Sequence, residues 1–238
     1  MLEAQHVLDV WQQGDSQDPL ERSLTLLSCA QPAVEREQLA RLPVGRRDAA
    51  LLAFRKVSFG PTMAVCAECP ACRQKVDLSL EADALLGGSE VASAGLEVES
   101  EGYQVQFRPV ATADLQAVLQ ADQPRQELLR RCIVSCHRRG GAVALEELPA
   151  AVLDQVERCM QAADPLASVD LQLVCPDCEH VWEAAFDIVS QLWADVRIHA
   201  RRLLREVHEL ASAYGWTERE ILSLSQARRQ EYLDLVRE

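Results

Sequence analysis

Cys69-Pro70-Ala71-Cys72 and Cys175-Pro176-Asp177-Cys178 repeat one four-residue pattern, with residues 73–174 between them. A Cys-Pro-x-Cys knuckle turns two sulfurs to one side, and two knuckles supply the four ligands of a tetrahedral shell. One shared ion would bring the two knuckles together. The intervening chain would then be an insertion that leaves and returns at the same place.

The flanks of each knuckle support this reading. Val76, Leu78 and Leu80 alternate with Lys75, Asp77 and Ser79 after the first knuckle. Val169, Leu171 and Leu173 precede the second, and Trp182, Ala184 and Phe186 follow it. A period of two marks half-buried strands, so each knuckle is predicted to lie in the turn of a hairpin. Two hairpins sharing one ion make a zinc ribbon. Within the insertion, Leu96 and Val98 lead to a turn at Ser100-Glu101-Gly102 and on to Tyr103, Val105 and Phe107, a further hairpin. Three short helices are predicted after it, with apolar stripes Leu115, Val118, Leu119, then Leu128, Leu129, Cys132, Ile133, Cys136, then Val152, Leu153, Val156, Cys159, Met160. Gly140-Gly141 and Asp164-Pro165 separate them.

Outside the ribbon the chain reads as helical. Asp18-Pro19-Leu20-Glu21 places an N-cap acid, a proline at the first helical position and a glutamate at the third, before Leu24, Leu26 and Leu27. A second helix starts in Leu42-Pro43-Val44-Gly45-Arg46-Arg47-Asp48 and stops at Phe59-Gly60-Pro61. From Phe186 a long helix is expected, carrying Val189, Leu192, Val196, Ala200, Leu203, Val207, Leu210 and Tyr214. It ends near Gly215. Thr217-Glu218-Arg219-Glu220 then forms a capping box with Trp216 and Ile221 as its staple, and a last helix runs through Tyr232-Leu233.

The expected architecture is α+β, a mostly helical body with a four-cysteine zinc ribbon built from two sequence-distant knuckles. Residues 1–60 form an N-terminal helical segment, 61–83 and 168–188 the two halves of the ribbon, 84–167 the inserted hairpin and helices, and 189–238 the long helix and short capped helices.

Composition narrows the function. A formal net charge of -13 opposes nonspecific contact with nucleic acid or anionic membrane, because phosphate binding relies on Lys and Arg. Met1-Leu2-Glu3-Ala4-Gln5-His6 has no basic segment followed by an apolar one, and no apolar run approaches the ~20 residues that span a bilayer. Nine cysteines without a leader point to a reducing, cytoplasmic setting, where this spacing signals metal more often than disulfide.

Cys69, Cys72, Cys175 and Cys178 are the candidate ligands of a structural Zn2+, with Cys66 and His180 as possible substitutes. A redox dithiol at each knuckle, or two half-filled sites, are the alternatives; redox thiols belong at helix N-termini, which these strands do not provide. Cys132 and Cys136, four apart on a predicted helix, read as buried thiols, as does Cys159, and His199 and His208 as packing or surface residues. Arg197, Arg201, Arg202 and Arg205 form a basic stripe on the long helix, either a solvated or internally salt-bridged face or one facing an acidic partner. No nucleophile elbow, phosphate loop or zinc-protease motif occurs.

Three segments together resemble baseplate proteins of contractile-tailed bacteriophages and related contractile injection systems, a family that includes baseplate hub assembly factors. They are Leu42-Pro43-x-Gly45-x-Arg47-Asp48 running to Phe59-Gly60, the two knuckles, and Tyr214-Gly215-Trp216-Thr217-Glu218-x-Glu220-Ile221-Leu222-x-Leu224 with Arg228-Arg229 and Tyr232-Leu233. Knuckles of this kind often carry glycine after the second cysteine, where Arg73 and Glu179 stand here. The resemblance implies a non-enzymatic, chaperone-like assembly factor that binds hub, spike or tube proteins in the bacterial cytoplasm. A structural subunit retained in the particle is the alternative, and a zinc-ribbon nucleic-acid regulator is the third reading. Oligomeric state is left open.

Overall fold

Asp18 opens the first well-capped helix of the body, accepting hydrogen bonds from the Leu20 and Glu21 amides at 2.8 and 3.0 Å. The computed structural model describes residues 3–87 and 95–237; the predicted ranges 1–60, 84–167 and 189–238 extend over 1–2, 88–94 and 238, which lie outside them. Four helices precede the first strand: α1 (Ala4–Gly14), α2 (Pro19–Ala30), α3 (Arg36–Ala40) and α4 (Val44–Phe59). Leu24, Leu26 and Leu27 of α2 bury together with Leu51 and Leu52 of α4. The long helix appears as α9 (Ile188–Tyr214) and seals this core with Leu192, Trp193 and Val196. Buried Arg55 joins α4 to α9 by pairing through Nε with Asp195 at 2.9 Å, while Nη1 donates to the Thr62 carbonyl at 2.7 Å. That charge is fully engaged, as burial demands.

Two hairpins stand on this body. β1 (Thr62–Glu68) pairs antiparallel with β2 (Lys75–Glu81), and β7 (Val169–Val174) with β8 (Val181–Phe186), each as its own two-stranded sheet. The residues expected to share a face do so, half-buried, while their neighbours are exposed. A short helix, α5 (Ala82–Leu86), follows β2, an element that the period-two pattern does not predict.

The insertion has a separate core. β3 (Leu96–Ser100) and β4 (Tyr103–Phe107) are joined by Glu101-Gly102, both at positive φ (50° and 77°), the combination a type I′ turn requires. Three helices follow as expected, α6 (Thr112–Val118), α7 (Pro124–Cys132) and α8 (Ala150–Ala163). The second is shorter than its apolar spacing predicts. It stops at Cys132, and Ile133 enters β5 (Ile133–Arg138), which pairs with β4 so that Cys136 lies opposite Val105. Cys132 and Cys136 therefore do not share a helix, although both are buried as expected; Cys159 is only half-buried. The free edge of β4 needs backbone partners, and β-branched Ile133-Val134 supplies them more readily than another helical turn would. Two residues of β6 (Gly141–Ala142) complete a sheet of order β3-β4-β5-β6. α8 lays Val152, Val156 and Met160 over Val98 and Val105.

Body and insertion meet at the first turn of α4. Pro43 bridges to Ala111, the Val44 amide donates to the Val110 carbonyl at 2.9 Å, and Arg47 donates to Thr112 Oγ1 at 3.2 Å. The Gly45 amide donates to Asp164 Oδ2 at 3.0 Å, 119 positions away in the chain. Val110, Ala111 and Thr112 after β4 and Asp164 after α8 therefore converge on one helical turn. Burial pushes the Asp164 carboxyl above the usual range, against the opposing pull of the Gly45 amide, Arg47 and Arg46.

At the other end α9 closes at Gly215, φ 70°, and leads into α10 (Glu218–Ser223) and α11 (Gln226–Arg237). The Thr217–Glu220 capping box forms in both directions, at 2.8 and 3.3 Å. Trp216 and Ile221 join one cluster with Leu210 and Leu233. Tyr214 departs from its predicted core position. It is exposed and stacks on Trp216 with ring centroids 4.7 Å apart.

Candidate metal centre

Each knuckle is closed by the same pair of backbone hydrogen bonds. In the first, the Arg73 amide donates to the Cys69 carbonyl at 2.8 Å and the Cys69 amide to the Gln74 carbonyl at 2.9 Å. In the second, Glu179 donates to Cys175 at 3.0 Å and Cys175 to His180 at 2.9 Å. The residue after the second cysteine is left-handed in both, φ 63° at Arg73 and 57° at Glu179. These are the positions where glycine is common, and a non-glycine residue there costs roughly 1–2 kcal/mol. Arg73→Gly and Glu179→Gly are therefore expected to raise stability by about 0.5 to 1 kcal/mol each, the gain offset partly by the entropy of glycine in the unfolded chain. Thermal unfolding of the metal-loaded single and double variants checks this, with near-additive shifts expected and a loss at either position contradicting it.

The hairpins bring the knuckles together as the cysteine spacing requires. Their half-buried faces line a cleft of about 280 Å³, with Val65 and Leu78 on one side and Leu171, Leu173 and Phe186 on the other. At its tip Cys69 Sγ lies 3.7 Å from Cys178 Sγ, and Cys72 Sγ 3.5 Å from Cys175 Sγ. All four sulfurs fall within 4.8 Å of one another. A tetrahedral thiolate site with metal–sulfur bonds of about 2.3 Å has sulfur–sulfur edges of about 3.8 Å, whereas a disulfide needs about 2.05 Å. The spacing fits a shared cation and not a bridge.

The thiols argue the same way. Although burial opposes ionisation of Cys69, the Cys72 and Ala71 amides and the Cys178 thiol bring it down to about 7. Cys72, despite the Gln74 amide that favours its thiolate, is pushed up to about 12 by the thiols around it and by desolvation. Four thiolates this close repel one another unless a cation neutralises them. With four sulfurs on one ion no position is open for water or substrate, so such a centre would hold structure and not perform chemistry.

Neither substitute ligand joins the group. Cys66 is exposed on β1 opposite Asp77, and His180 contributes its backbone carbonyl to the knuckle while its ring stacks beside Trp182 at 6.3 Å. Among the described residues the four cysteines are the only cluster of three or more Cys, His, Asp or Glu able to hold a metal. His199 packs on Phe59, ring centroids 4.5 Å apart, with Nδ1 2.9 Å from the Asp195 carbonyl, and His208 is exposed. Arg197, Arg201, Arg202 and Arg205 all lie on the exposed face of α9. Asp164, by contrast, reads in the sequence only as a separator before Pro165. Its role opposite Gly45 has no local signal beyond a carboxylate in a helix-ending position.

A family model described as T4 bacteriophage base plate protein matches residues 12–193, more than half of the chain. The match takes in the α4 joint and both knuckles and ends inside α9. No curated protein and no solved structure matches this chain. Among the described residues no helix is long and apolar enough to cross a membrane.

Proposed function

Since this chain belongs to the T4 bacteriophage base plate protein family, we propose that it is a non-enzymatic, chaperone-like assembly factor for the hub or spike of a phage baseplate or related injection system. The family match over residues 12–193 is the observation that carries this reading. The rest of the molecule is consistent with it. A four-sulfur cluster with no open ligand position suits a scaffold, and the charge of -13 opposes a nucleic-acid role.

Zinc is the metal we assign to Cys69, Cys72, Cys175 and Cys178, because four soft thiolates in a tetrahedron favour it over harder divalent ions. In this reading the two hairpins are the halves of a split zinc ribbon, and the ion closes the insertion against the helical body. The partners are hub, spike or tube proteins, met in the cytoplasm of the producing cell.

Affinity capture from producing cells, combined with quantitative mass spectrometry of purified particles, tests the assignment. An assembly factor is expected to recover a hub, spike or tube protein from the cells and to be missing from finished particles. Stoichiometric copies in the particle would instead identify a retained structural subunit. Recovery of no baseplate protein at all would overturn the reading.

A further inference from the structure

The exposed face of α9 carries charge that the fold does not use. Arg197, Arg201 and Arg205 occupy successive i,i+4 positions, where like charges repel along the helix and work against it. Several arginines elsewhere are matched by carboxylates, as in Arg36 with Glu21, Arg125 with Glu157, Arg130 with Glu146 and Arg229 with Glu206, while others, such as Arg138 and Arg158, bond uncharged side chains. Arg202, on the flank of the stripe, is also matched, to Glu206 at 3.4 Å. Among the described residues Arg197 and Arg201 have no carboxylate partner, and Arg205 reaches only the Arg201 carbonyl at 3.3 Å.

The same face exposes two aliphatic side chains, Ile198 at 64% and Leu204 at 38%. At about 100° per residue, Leu204, Arg197, Arg201, Arg205 and Ile198 fall within one arc, opposite the positions that bury Leu192, Val196 and Leu203. The arginines span about 12 Å, a little over two helical turns. A nucleic acid would satisfy the arginines and leave the aliphatic residues unmatched, against a net charge of -13. An acidic protein segment satisfies both.

We propose that this face of α9 is a docking surface for an acidic amphipathic helix of a partner protein. Aliphatic residues of that helix cover Ile198 and Leu204, and its Asp or Glu side chains pair with Arg197, Arg201 and Arg205. The proposal rests on the reading that the chain works by binding baseplate proteins, and it names the chemistry of the bound segment.

Fluorescence anisotropy on the full metal-loaded chain tests it with three labelled probes. These are a synthetic five-turn helical peptide with a glutamate stripe flanked by leucines, the same peptide with lysine for every glutamate, and a short DNA duplex. The glutamate peptide is expected to bind with an affinity that falls as salt rises, and the lysine peptide not to bind. Arg201→Glu is expected to weaken binding at least about tenfold, as loss of a close interfacial charge pair does, and Ile198→Ser to weaken it several-fold. Both substitutions are on the surface, and thermal unfolding of each variant verifies that the fold is retained. Tighter binding of the duplex, indifference to Arg201→Glu, or no binding of the glutamate peptide overturns the proposal. The parent reading is separated by particle yield in producing cells. If deleting the whole chain abolishes particles and Arg201→Glu leaves them unchanged, the docking surface fails and the baseplate role stands. If the deletion leaves the yield unchanged, the baseplate role fails.

Discussion

Stripping the metal from wild-type protein with a chelator is expected to lower its unfolding temperature by about 10 to 20 °C, with the loss beginning at the hairpin tips. An ion shared by the four cysteines would close a loop from Cys72 to Cys175, 103 positions apart. In the chain-entropy account a cross-link across a loop of that length contributes about 4 to 5 kcal/mol. For a chain of this size each kcal/mol moves the midpoint by about 2–4 °C. The helical core around Leu26, Leu51 and Leu192 has no direct dependence on the ion, so the apo protein should stay largely folded. Hydrogen exchange is expected to accelerate first around Cys69–Cys72 and Cys175–Cys178 and only later in α2, α4 and α9. Cys175→Ser, which removes one buried ligand, should reproduce the effect without chelator. Acid should mimic it too, since thiolate ligands compete with protons for the metal. A midpoint unchanged by chelation would mean that hairpin packing alone holds the knuckles together.

Gly45→Ala should cost about 3 to 4 kcal/mol in urea unfolding, an unusual price for one methyl group in a helix. A Cβ at position 45 would lie 1.8 Å from Asp164 Oδ1 and 2.8 Å from its Cγ, so the carboxylate has to move. Asp164 is buried and accepts the Gly45 amide; displaced, it leaves that amide unsatisfied and its own charge poorly placed in a low-dielectric joint. In an Asp164→Ala background the same Gly45→Ala change meets no carboxylate. There it should be near neutral, because alanine is otherwise favoured over glycine in a helix by about 1 kcal/mol, although the Leu166 Cβ at 3.1 Å must give slightly. The double-mutant cycle therefore isolates a coupling of about 3 to 4 kcal/mol between residues distant in sequence. A single Gly45→Ala variant within about 0.5 kcal/mol of wild type would contradict the joint. The geometry also accounts for Leu42-Pro43-x-Gly45-x-Arg47-Asp48 as a recognisable segment. Its residues begin a helix and at the same time bind two distant points of the insertion, residues 110–112 and Asp164, through Pro43, Val44, Gly45 and Arg47.

Much of this arrangement was legible because its signals are local. The Asp18-Pro19 start, the Thr217–Glu220 box and the period-two runs beside each knuckle depend on near neighbours, and the structure realises each of them. The juxtaposition of four cysteines followed from two short motifs and one chemical requirement. The failures lie where a distant partner decides. Cys132, Ile133 and Cys136 have helical spacing, yet the open edge of β4 turns Ile133–Arg138 into a strand. Tyr214 continues the apolar register of α9 but sits beyond the reach of the body and stacks on Trp216 instead. Asp164 looks like punctuation until Gly45 is placed against it. The left-handed backbone at Arg73 and Glu179 was signalled only through the family resemblance, which places glycine after the second cysteine of each knuckle.

X-ray absorption at the metal edge, on protein purified without chelator, tests most directly that one closed four-sulfur centre clasps the two hairpins. The account predicts about one zinc per chain, four sulfur neighbours at about 2.3 Å and no nitrogen or oxygen in the shell. Less than half a metal per chain, or a shell containing a water or histidine ligand, would contradict it.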